Sequence, residues 1–302
     1  MGVRQIRVSL EKHPKTKLRY RKDVMPYIFI LPNMILFLVF VIFPIMATFF
    51  YSLTKWNGIG TKVFVWFENY RRIFTNSTFK TSLVNTFIFT GVVVPLEMVF
   101  GLLVALVLNK KFLGRGMVRA LIYLPCMIST VITGLAFSWL FDTNLGFINS
   151  LVVSLGGQKI NWFTDRRYAF VLIVLSSLWH TLGTKMVIYL GALQGIDKEL
   201  YEASTVDGAN SFQRFLYITV PSLRGTNLFV MITSVISSFK SFDLIYTITG
   251  GGPRNGTSTL ALYIYNTAFT NNNFGRASAG GVVLFLFLLV FTLIRFRIER
   301  RK

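Results

Sequence analysis

Four ionisable side chains stand inside or at the ends of long apolar runs, and they are the residues best suited to chemistry. They are Glu97, Lys185, Lys240 and Asp243. A charge is costly among apolar groups, so such residues pair with one another or line a path for a polar solute. Glu97 and Lys185 are open to both interpretations. Lys240 and Asp243 are three residues apart, and this spacing predicts a local ion pair on one helical face.

Three ring side chains extend this set of substrate-path candidates: Trp139, Trp179 and His180. Each offers a flat face on which the ring of a bound solute could stack. Residues of this kind near the ends of apolar runs also commonly anchor a protein at a membrane interface. The sequence leaves both roles open.

No constellation in the sequence predicts catalysis. Cys126 is the single cysteine and the chain has two histidines, so a metal site is unsupported. A phosphate-binding loop ends in Gly-Lys-Ser/Thr, and the nearest approach, Gly251 to Gly256, continues with Thr257-Ser258 and no lysine. We therefore expect a non-catalytic chain without cofactor or metal. If ATP supplies energy to this protein, another polypeptide must bind it.

The composition is that of an integral membrane protein. The 302 residues carry a net charge of +20, which in a soluble chain would suggest a nucleic-acid partner. However, 53% of the residues are hydrophobic, only 15% are charged, and the mean hydropathy is +0.56. A soluble chain of this length could not bury so much apolar surface. We therefore expect no nucleic-acid partner, and we exclude a soluble enzyme, a disordered chain and a disulfide scaffold.

The apolar runs predict an all-α polytopic protein with six transmembrane helices, because each run approaches or exceeds the roughly 20 residues needed to cross a bilayer. The runs lie between Asp23 and Lys55, at about 83–108, between Arg119 and Asp142, at 168–196, after Arg224, and at 277–294. The first run is too long for a cleavable signal peptide, so we expect it to remain as an anchor. Pro44 and Pro95 lie inside runs and predict kinks.

The distribution of Lys and Arg predicts that both termini are cytoplasmic. With that orientation the internal segments hold 20 of these residues and the external segments hold 10. The resulting division has five parts. They are a basic cytoplasmic arm at 1–26, a first helix at 27–51, an external loop at 52–80, a five-helix core at 81–294, and a basic tail at 295–302.

One internal loop, 197–221, has the pattern of a folded surface. Asp197 can cap a helix that carries Glu199 in its first turn, Asp207-Gly208 predicts a turn, and a second helical stretch leads to Pro221. The loop has four acidic and two basic residues. A helix lying on lipid headgroups is usually rich in Lys and Arg, so this pattern favours a protein partner.

The same loop resembles the signature loop of binding-protein-dependent ABC importer permeases. Glu202-Ala203-Ser204 stands at the Glu-Ala-Ala triplet, Gly208 at the glycine, and the closing segment is Ile218-Thr219-Val220-Pro221. Ser204 and Val220 depart from the usual Ala and Leu. The resemblance implies that the loop contacts an ATPase subunit through Glu202, Ala203, Ser204, Asp207, Gly208, Ile218 and Pro221.

Further stretches resemble the carbohydrate branch of these permeases, of the maltose and glycerol-phosphate transporter type. They are Phe67-Glu68-Asn69-Tyr70, Asn85-Thr86, Leu124-Pro125, Gly146-Phe147-Ile148-Asn149, Ala192-Leu193-Gln194, Phe242-Asp243-Leu244-Ile245-Tyr246 and Thr249-Gly250-Gly251-Gly252-Pro253. Two positions depart from the usual pattern, Asp197 in place of Pro and Gly191 in place of Ala.

The resemblance implies a type I ABC importer transmembrane fold in the plasma membrane, in contact with lipid. The implied partners are a second permease in a heterodimer, two ATPase subunits that bind the ATP, an extracytoplasmic solute-binding protein and a sugar substrate. The alternative is a secondary transporter of a small polar solute that uses an ion gradient through Glu97 and Asp243. That alternative would favour repeated halves, and no clear internal repeat is present.

Overall fold

A computed structural model describes residues 25–300, and their regular secondary structure is helical apart from one two-stranded ribbon. Most of the predicted basic arm and the last two residues of the tail lie outside this range. The α-helices are α1 (Met25–Phe37), α2 (Phe43–Ser52), α3 (Glu68–Thr75), α4 (Ser77–Asn109), α5 (Arg115–Tyr123), α6 (Thr130–Leu140), α7 (Phe147–Ser154), α8 (Arg166–Gln194), α9 (Lys198–Val206), α10 (Ser211–Arg214), α11 (Val220–Ser222), α12 (Arg224–Phe239), α13 (Asp243–Thr249), α14 (Leu260–Tyr265) and α15 (Phe274–Arg300).

The remaining elements are short. β1 (Thr54–Lys55) pairs antiparallel with β2 (Val63–Phe64). A 3₁₀ turn and three π-helical segments connect helices, at Leu124–Met127, Leu38–Ile42, Phe215–Thr219 and Asn266–Thr270 respectively. The chain forms two compact units that divide between Ala47 and Thr48.

Within the described part of the chain, four helical segments are long and apolar enough to cross a membrane: Pro26–Ser52, Ser77–Asn109, Arg166–Gln194 and Phe274–Ile298. Two helix pairs reach the required length only together. Arg115–Met127 and Thr130–Leu140 meet at 99°, and Ser211–Ser222 and Arg224–Phe239 meet at 66°. The six predicted spans are therefore present when each bent pair counts as one span.

The prolines inside spans are accommodated in two ways. The π-helical segment Leu38–Ile42 ends two residues before Pro44, and Phe215–Thr219 ends two residues before Pro221. Proline clashes with the carbonyl four residues earlier, and a wider turn relieves that crowding. In contrast, α4 continues as one helix through Pro95.

The centre of the larger unit is the packing of α4 against α8, and small residues allow their close approach. A Cβ at Gly101 would lie 2.6 Å from Cβ of Lys185. On the other side of α8, a Cβ at Gly183 would lie 2.6 Å from the carbonyl oxygen of Ile122. Gly101 and the fully buried Ala105 thus act as packing positions.

Two apolar clusters surround this helix pair. One joins α4, α8, α13 and α14 through Phe89, Leu172, Ile245 and Leu262. The other lies toward the C-terminal ends of α4 and α8 and includes Ala105, Leu108, Met186, Tyr189 and Leu193. Many large apolar side chains remain on the outer surface of the described helices, as expected for a protein in contact with lipid.

Candidate functional site

The 197–221 loop folds as two helical stretches joined by a tight turn, as the sequence predicts. α9 ends at Val206, and Gly208 follows with a φ of +77°. A positive φ is costly for a residue with a side chain, so glycine permits this turn. Nothing lies within 4 Å of a Cβ placed there. The need for glycine therefore comes from the backbone and not from packing.

The two helices of the loop begin differently. Asp197 stands at the N-cap of α9, but its side chain makes no capping hydrogen bond, so that part of the prediction is wrong. α10 begins with a capping box, in which Asn210 Oδ1 accepts from Gln213 N at 2.9 Å and Gln213 Oε1 accepts from Asn210 N at 2.8 Å. The Asn-x-x-Gln pattern is the sequence signal for this box, and our prediction did not include it.

The exposed residues of the loop include both acidic and apolar side chains. Among the predicted contact residues, Glu202, Ala203, Asp207, Gly208 and Pro221 are exposed, and Ser204 and Ile218 are half-buried. Val206 is 88% exposed and Phe212 is 69% exposed. Large exposed apolar side chains beside an acidic group are typical of a surface that binds a protein.

Glu97 and Lys185 lie in a buried polar cluster between α4, α8 and α12. Lys185 Nζ is 3.3 Å from Glu97 Oε2, and the residues are 6% and 3% exposed respectively. Thr181 Oγ1 donates to Glu97 Oε1 at 2.8 Å, and Ser234 Oγ donates to Oε2 at 2.6 Å. Of the two interpretations, the geometry favours mutual neutralisation between helices. The carboxylate is fully partnered, so the cluster ties three helices together.

A cavity of about 370 Å³ lies beside this cluster. Its wall combines hydroxyl, imidazole and aromatic groups: Phe89, Glu97, Thr130, Ser177, His180, Thr181, Ile236, Ser237, Ser238, Lys240, Ser241, Phe242, Asp243 and Leu244. Hydroxyl groups and aromatic faces are the groups that bind a neutral polar solute such as a sugar. The serine-rich run 237–241 contributes much of this wall, and our sequence prediction did not include it.

The predicted helical ion pair between Lys240 and Asp243 is wrong. α12 ends at Phe239 and α13 begins at Asp243, so the two charged residues do not share one continuous helix. Asp243 Oδ2 instead accepts from Thr130 Oγ1 on α6, at 3.0 Å. Both charged side chains line the cavity as a result.

The ring residues divide between the cavity and the outer surface. Thr133 Oγ1 lies 3.3 Å from Nδ1 of His180, which lines the cavity. Trp139 is 77% exposed, and Trp179 packs against Phe137 with ring centroids 5.6 Å apart. Neither tryptophan is among the residues that line this cavity. Four of the seven substrate-path candidates therefore line the cavity, namely Glu97, His180, Lys240 and Asp243, and a fifth, Lys185, pairs with Glu97.

The segment between α13 and α14 is held against α4, and α14 packs on the same helix. Asn85 Nδ2 donates to the carbonyl oxygens of Asn255 and Ser258 at 3.1 and 3.0 Å. Arg166 Nη2, at the start of α8, donates to Asn85 Oδ1 at 3.0 Å. The buried amide of Asn85 therefore joins the segment between α13 and α14 to both α4 and α8. This gives a structural role to Asn85 of the Asn85-Thr86 stretch.

A second asparagine organises the segment between α6 and α8. Asn149 Nδ2 donates to the carbonyl oxygens of Thr143 and Ile160 at 3.1 and 2.9 Å. Nearby, the backbone N–H groups of Leu145 and Asn144 donate to Asp142 Oδ1. These donors lower the pKa of Asp142 from its usual value. The turn thus favours the charged form of this carboxylate.

The glycine-rich turn and the cysteine have local structural roles. Thr257 Oγ1 donates to the carbonyl oxygen of Gly252 at 2.6 Å, and Gly256 is buried beside Arg166. Cys126 is half-buried against Gly183. Within residues 25–300, no three His, Cys, Asp or Glu side chains are placed to hold a metal ion.

A family model described as a binding-protein-dependent transport system inner membrane component matches residues 97–302. The chain belongs to this family. The resemblance inferred from the 197–221 loop is thereby confirmed. As a member of this family the chain is an integral inner-membrane permease with the helical fold of ABC importers, and the family is one of transport proteins.

Individual permeases of this family are similar over nearly the whole chain. The trehalose/maltose transport system permease protein MalF of Thermococcus litoralis is 34% identical over 96% of this chain and 99% of that protein. The lactose transport system permease protein LacF of Rhizobium radiobacter is 35% identical over 95% of this chain and 98% of that protein.

The fold also matches that of a solved transporter. A bacterial ABC transporter involved in the import of the acidic polysaccharide alginate contains a chain with a TM-score of 0.82 and 24% identity, covering 93% of this chain and 96% of that one. A second structure of an alginate transporter, in complex with an alginate-bound periplasmic protein, gives a TM-score of 0.81. The predicted type I importer fold is confirmed by these matches.

Proposed function

We propose that this permease forms half of the pore of an ATP-driven importer for a carbohydrate. The observation that carries the proposal is the juxtaposition of a polar cavity, in the middle of the α4–α8–α12 bundle, with a shaped and exposed loop at one end of the same helices. The similar permeases named for trehalose, maltose and lactose transport support a sugar as the substrate class.

The substrate path runs through the cavity beside Glu97. Hydroxyl groups of Thr130, Ser237 and Ser241 provide hydrogen-bond partners for a sugar, and Phe242 and His180 provide flat faces. Glu97 is engaged by Lys185, Thr181 and Ser234. It therefore fixes the shape of the path and is not a carrier of protons.

The 197–221 loop is the contact with a separate ATPase subunit. Its exposed Glu202, Val206 and Phe212 form an acidic and apolar patch, and the loop connects through Leu223 to the bent span that ends at the cavity. A movement of the loop can therefore be transmitted along the continuous backbone to α12 and to the cavity wall. ATP is bound by the partner, and this chain performs no catalysis.

The orientation and partners complete the proposal. Both termini face the cytoplasm, as the distribution of Lys and Arg favours, and the 197–221 loop lies on that side with two copies of the ATPase subunit. A second, different permease supplies the other half of the pore. A binding protein delivers sugar from outside, as the solved alginate complex with its periplasmic protein supports.

The experiment that tests this function is purification of the tagged chain from its own membranes, followed by reconstitution of whatever co-elutes. We expect a second permease and an ATPase to co-elute, and sugar uptake into vesicles to require ATP together with the binding protein. Uptake by the lone chain, driven by an ion gradient without ATP, would instead establish the secondary-transporter alternative. The family to which the chain belongs favours the importer.

A further inference from the structure

A second cavity of about 320 Å³ opens between the start of α12 and the last turns of α15, at the end of the bundle that carries the 197–221 loop. Two guanidinium groups line it, those of Arg224 and Arg295. Much of the remaining wall is apolar and includes Met98, Leu228 and Met231. The cavity thus combines two positive charges with a surface suited to a hydrocarbon chain.

Arg295 occupies an unusual environment for a charged residue. It lies inside the helical segment Phe274–Ile298, which is apolar enough to cross a membrane. Its Nη2 atom donates to the thioether sulfur of Met231 at 3.1 Å, and its Nε atom is buried without a hydrogen-bond partner among residues 25–300. A thioether is a weak acceptor, and a buried donor without a partner is costly. Among the described residues, Nε of Arg295 therefore lacks an acceptor and Nη2 has only a weak one.

The chemistry of the cavity favours the phosphate of a lipid as that acceptor. Guanidinium groups bind phosphate oxygens in a bidentate geometry, and basic pockets between transmembrane helices on the cytoplasmic side bind lipid headgroups. Next to the cavity, α15 exposes Val290, Leu293 and Ile294, which extend the apolar surface along the membrane. A free phosphate ion would use the guanidinium groups and leave the apolar wall uncovered.

We propose that this cavity binds an anionic phospholipid. Arg224 and Arg295 hold the phosphate group, and an acyl chain lies along Met98, Leu228 and Met231. That the lipid comes from the cytoplasmic leaflet rests on the orientation given under the proposed function.

The position of the cavity links the lipid to the movement of the loop. Val220 and Pro221, the last residues of the 197–221 loop, line the same cavity. The 66° bend between Ser222 and Arg224 follows directly. Asn227 also lines the cavity and accepts a hydrogen bond from Tyr189 of α8 at 2.9 Å. A bound headgroup therefore contacts the junction between the loop and α12. Movement of the loop would be transmitted to α12 through this junction.

The test measures retained lipid on the full chain purified with its co-eluting subunits, from discs of phosphatidylcholine and phosphatidylglycerol, by native mass spectrometry. We expect Arg295→Gln to weaken the retention of phosphatidylglycerol about fivefold, since it removes a direct hydrogen bond from the guanidinium to the phosphate in the cavity. Arg297→Gln is the matched control, because Arg297 lies on the same helix and is exposed. Equal retention by Arg295→Gln and Arg297→Gln would overturn the proposal.

A second variant tests the apolar wall without changing any charge. Leu228→Trp fills the cavity, and we expect it to reduce phosphatidylglycerol retention while size-exclusion chromatography still shows the assembled protein. Displacement of the lipid by inorganic phosphate alone, at physiological concentration, would identify a phosphate site and reject the lipid. Lipid retention is measured whether or not an ATPase co-elutes, so this proposal and the proposed function can fail independently.

Discussion

Glu97 and Lys185 show how one buried charge pair is made tolerable inside a membrane protein. Each is almost fully buried, and the carboxylate also accepts hydrogen bonds from Thr181 and Ser234. The pair needs close approach of α4 and α8, and Gly101 provides it because a side chain there would strike Lys185. The charges thus specify how the helices meet, and removal of one charge leaves the other buried without compensation.

We predict that Glu97→Gln and Lys185→Met each destabilise the protein by about 3–5 kcal/mol, the usual cost of breaking a buried ion pair. The double variant should cost clearly less than the sum, because neither charge is then left alone. Thermal unfolding of the detergent-purified variants, compared in a double-mutant cycle, measures this coupling. Additive effects of the two substitutions would show that the ion pair has no structural role.

Sugar uptake by the double variant, if still dependent on ATP, would also exclude Glu97 as a proton carrier.

At the scale of elements, the 197–221 loop leads through a short helical connection into the bent span after it, so a movement of the loop is transmitted to that span. The turn at Gly208 fixes the angle between α9 and α10, and the capping box at Asn210 fixes where the second helix begins. The π-helical segment Phe215–Thr219 then leads into Pro221 and the 66° bend. Each of these features depends on nearby residues of the loop itself. The loop therefore keeps its shape while its outer surface stays open to a partner.

We predict that Gly208→Pro uncouples ATP hydrolysis from sugar uptake while the protein still inserts and assembles. Proline fixes φ near −65°, whereas this turn requires +77°. Glu202→Lys should have the same effect by reversing the charge of the exposed patch. The measurement is the ratio of uptake to ATPase activity in reconstituted vesicles. Gly225→Ala is the matched control, because Gly225 lies in α12 and a Cβ there meets nothing within 4 Å. Unchanged coupling in both loop variants would reject the contact with the ATPase.

At the scale of the whole molecule, the predicted external loop 52–80 is the weakest point of the orientation, because it holds five basic residues. The structure shows local partners for two of them. Arg72 pairs with Glu68 one helical turn earlier, and Lys62 lies over the rings of Tyr51 and Trp56 at 4.5 and 4.8 Å. These contacts give both cations partners in or beside the loop. The two charges therefore do not require the loop to lie in the cytoplasm.

We predict that a single cysteine at Ile59 is labelled only from outside the cell, and one at Leu113 only from the cytoplasm, in a chain whose Cys126 is replaced by Ser. Ile59 is 84% exposed and Leu113 is fully exposed, outside the patch assigned to the ATPase, so each cysteine should react with a membrane-impermeant maleimide. Intact cells and inverted vesicles give the two measurements. Labelling of both cysteines from the same side would contradict the predicted orientation.

The amino-acid sequence by itself determined the number of spans, the absence of a catalytic pattern and the positions of the loop helices. The physical reason is that these depend on local properties, namely the length of apolar runs and the backbone preference of residues such as Gly208 and Pro221. The tertiary structure decided which charges meet. Lys185 is 88 positions from Glu97 and pairs with it, whereas Lys240 is three positions from Asp243 and does not share a helix with it. Distances of this kind depend on how helices pack, and hydrophobic patterns along one chain do not encode that packing directly.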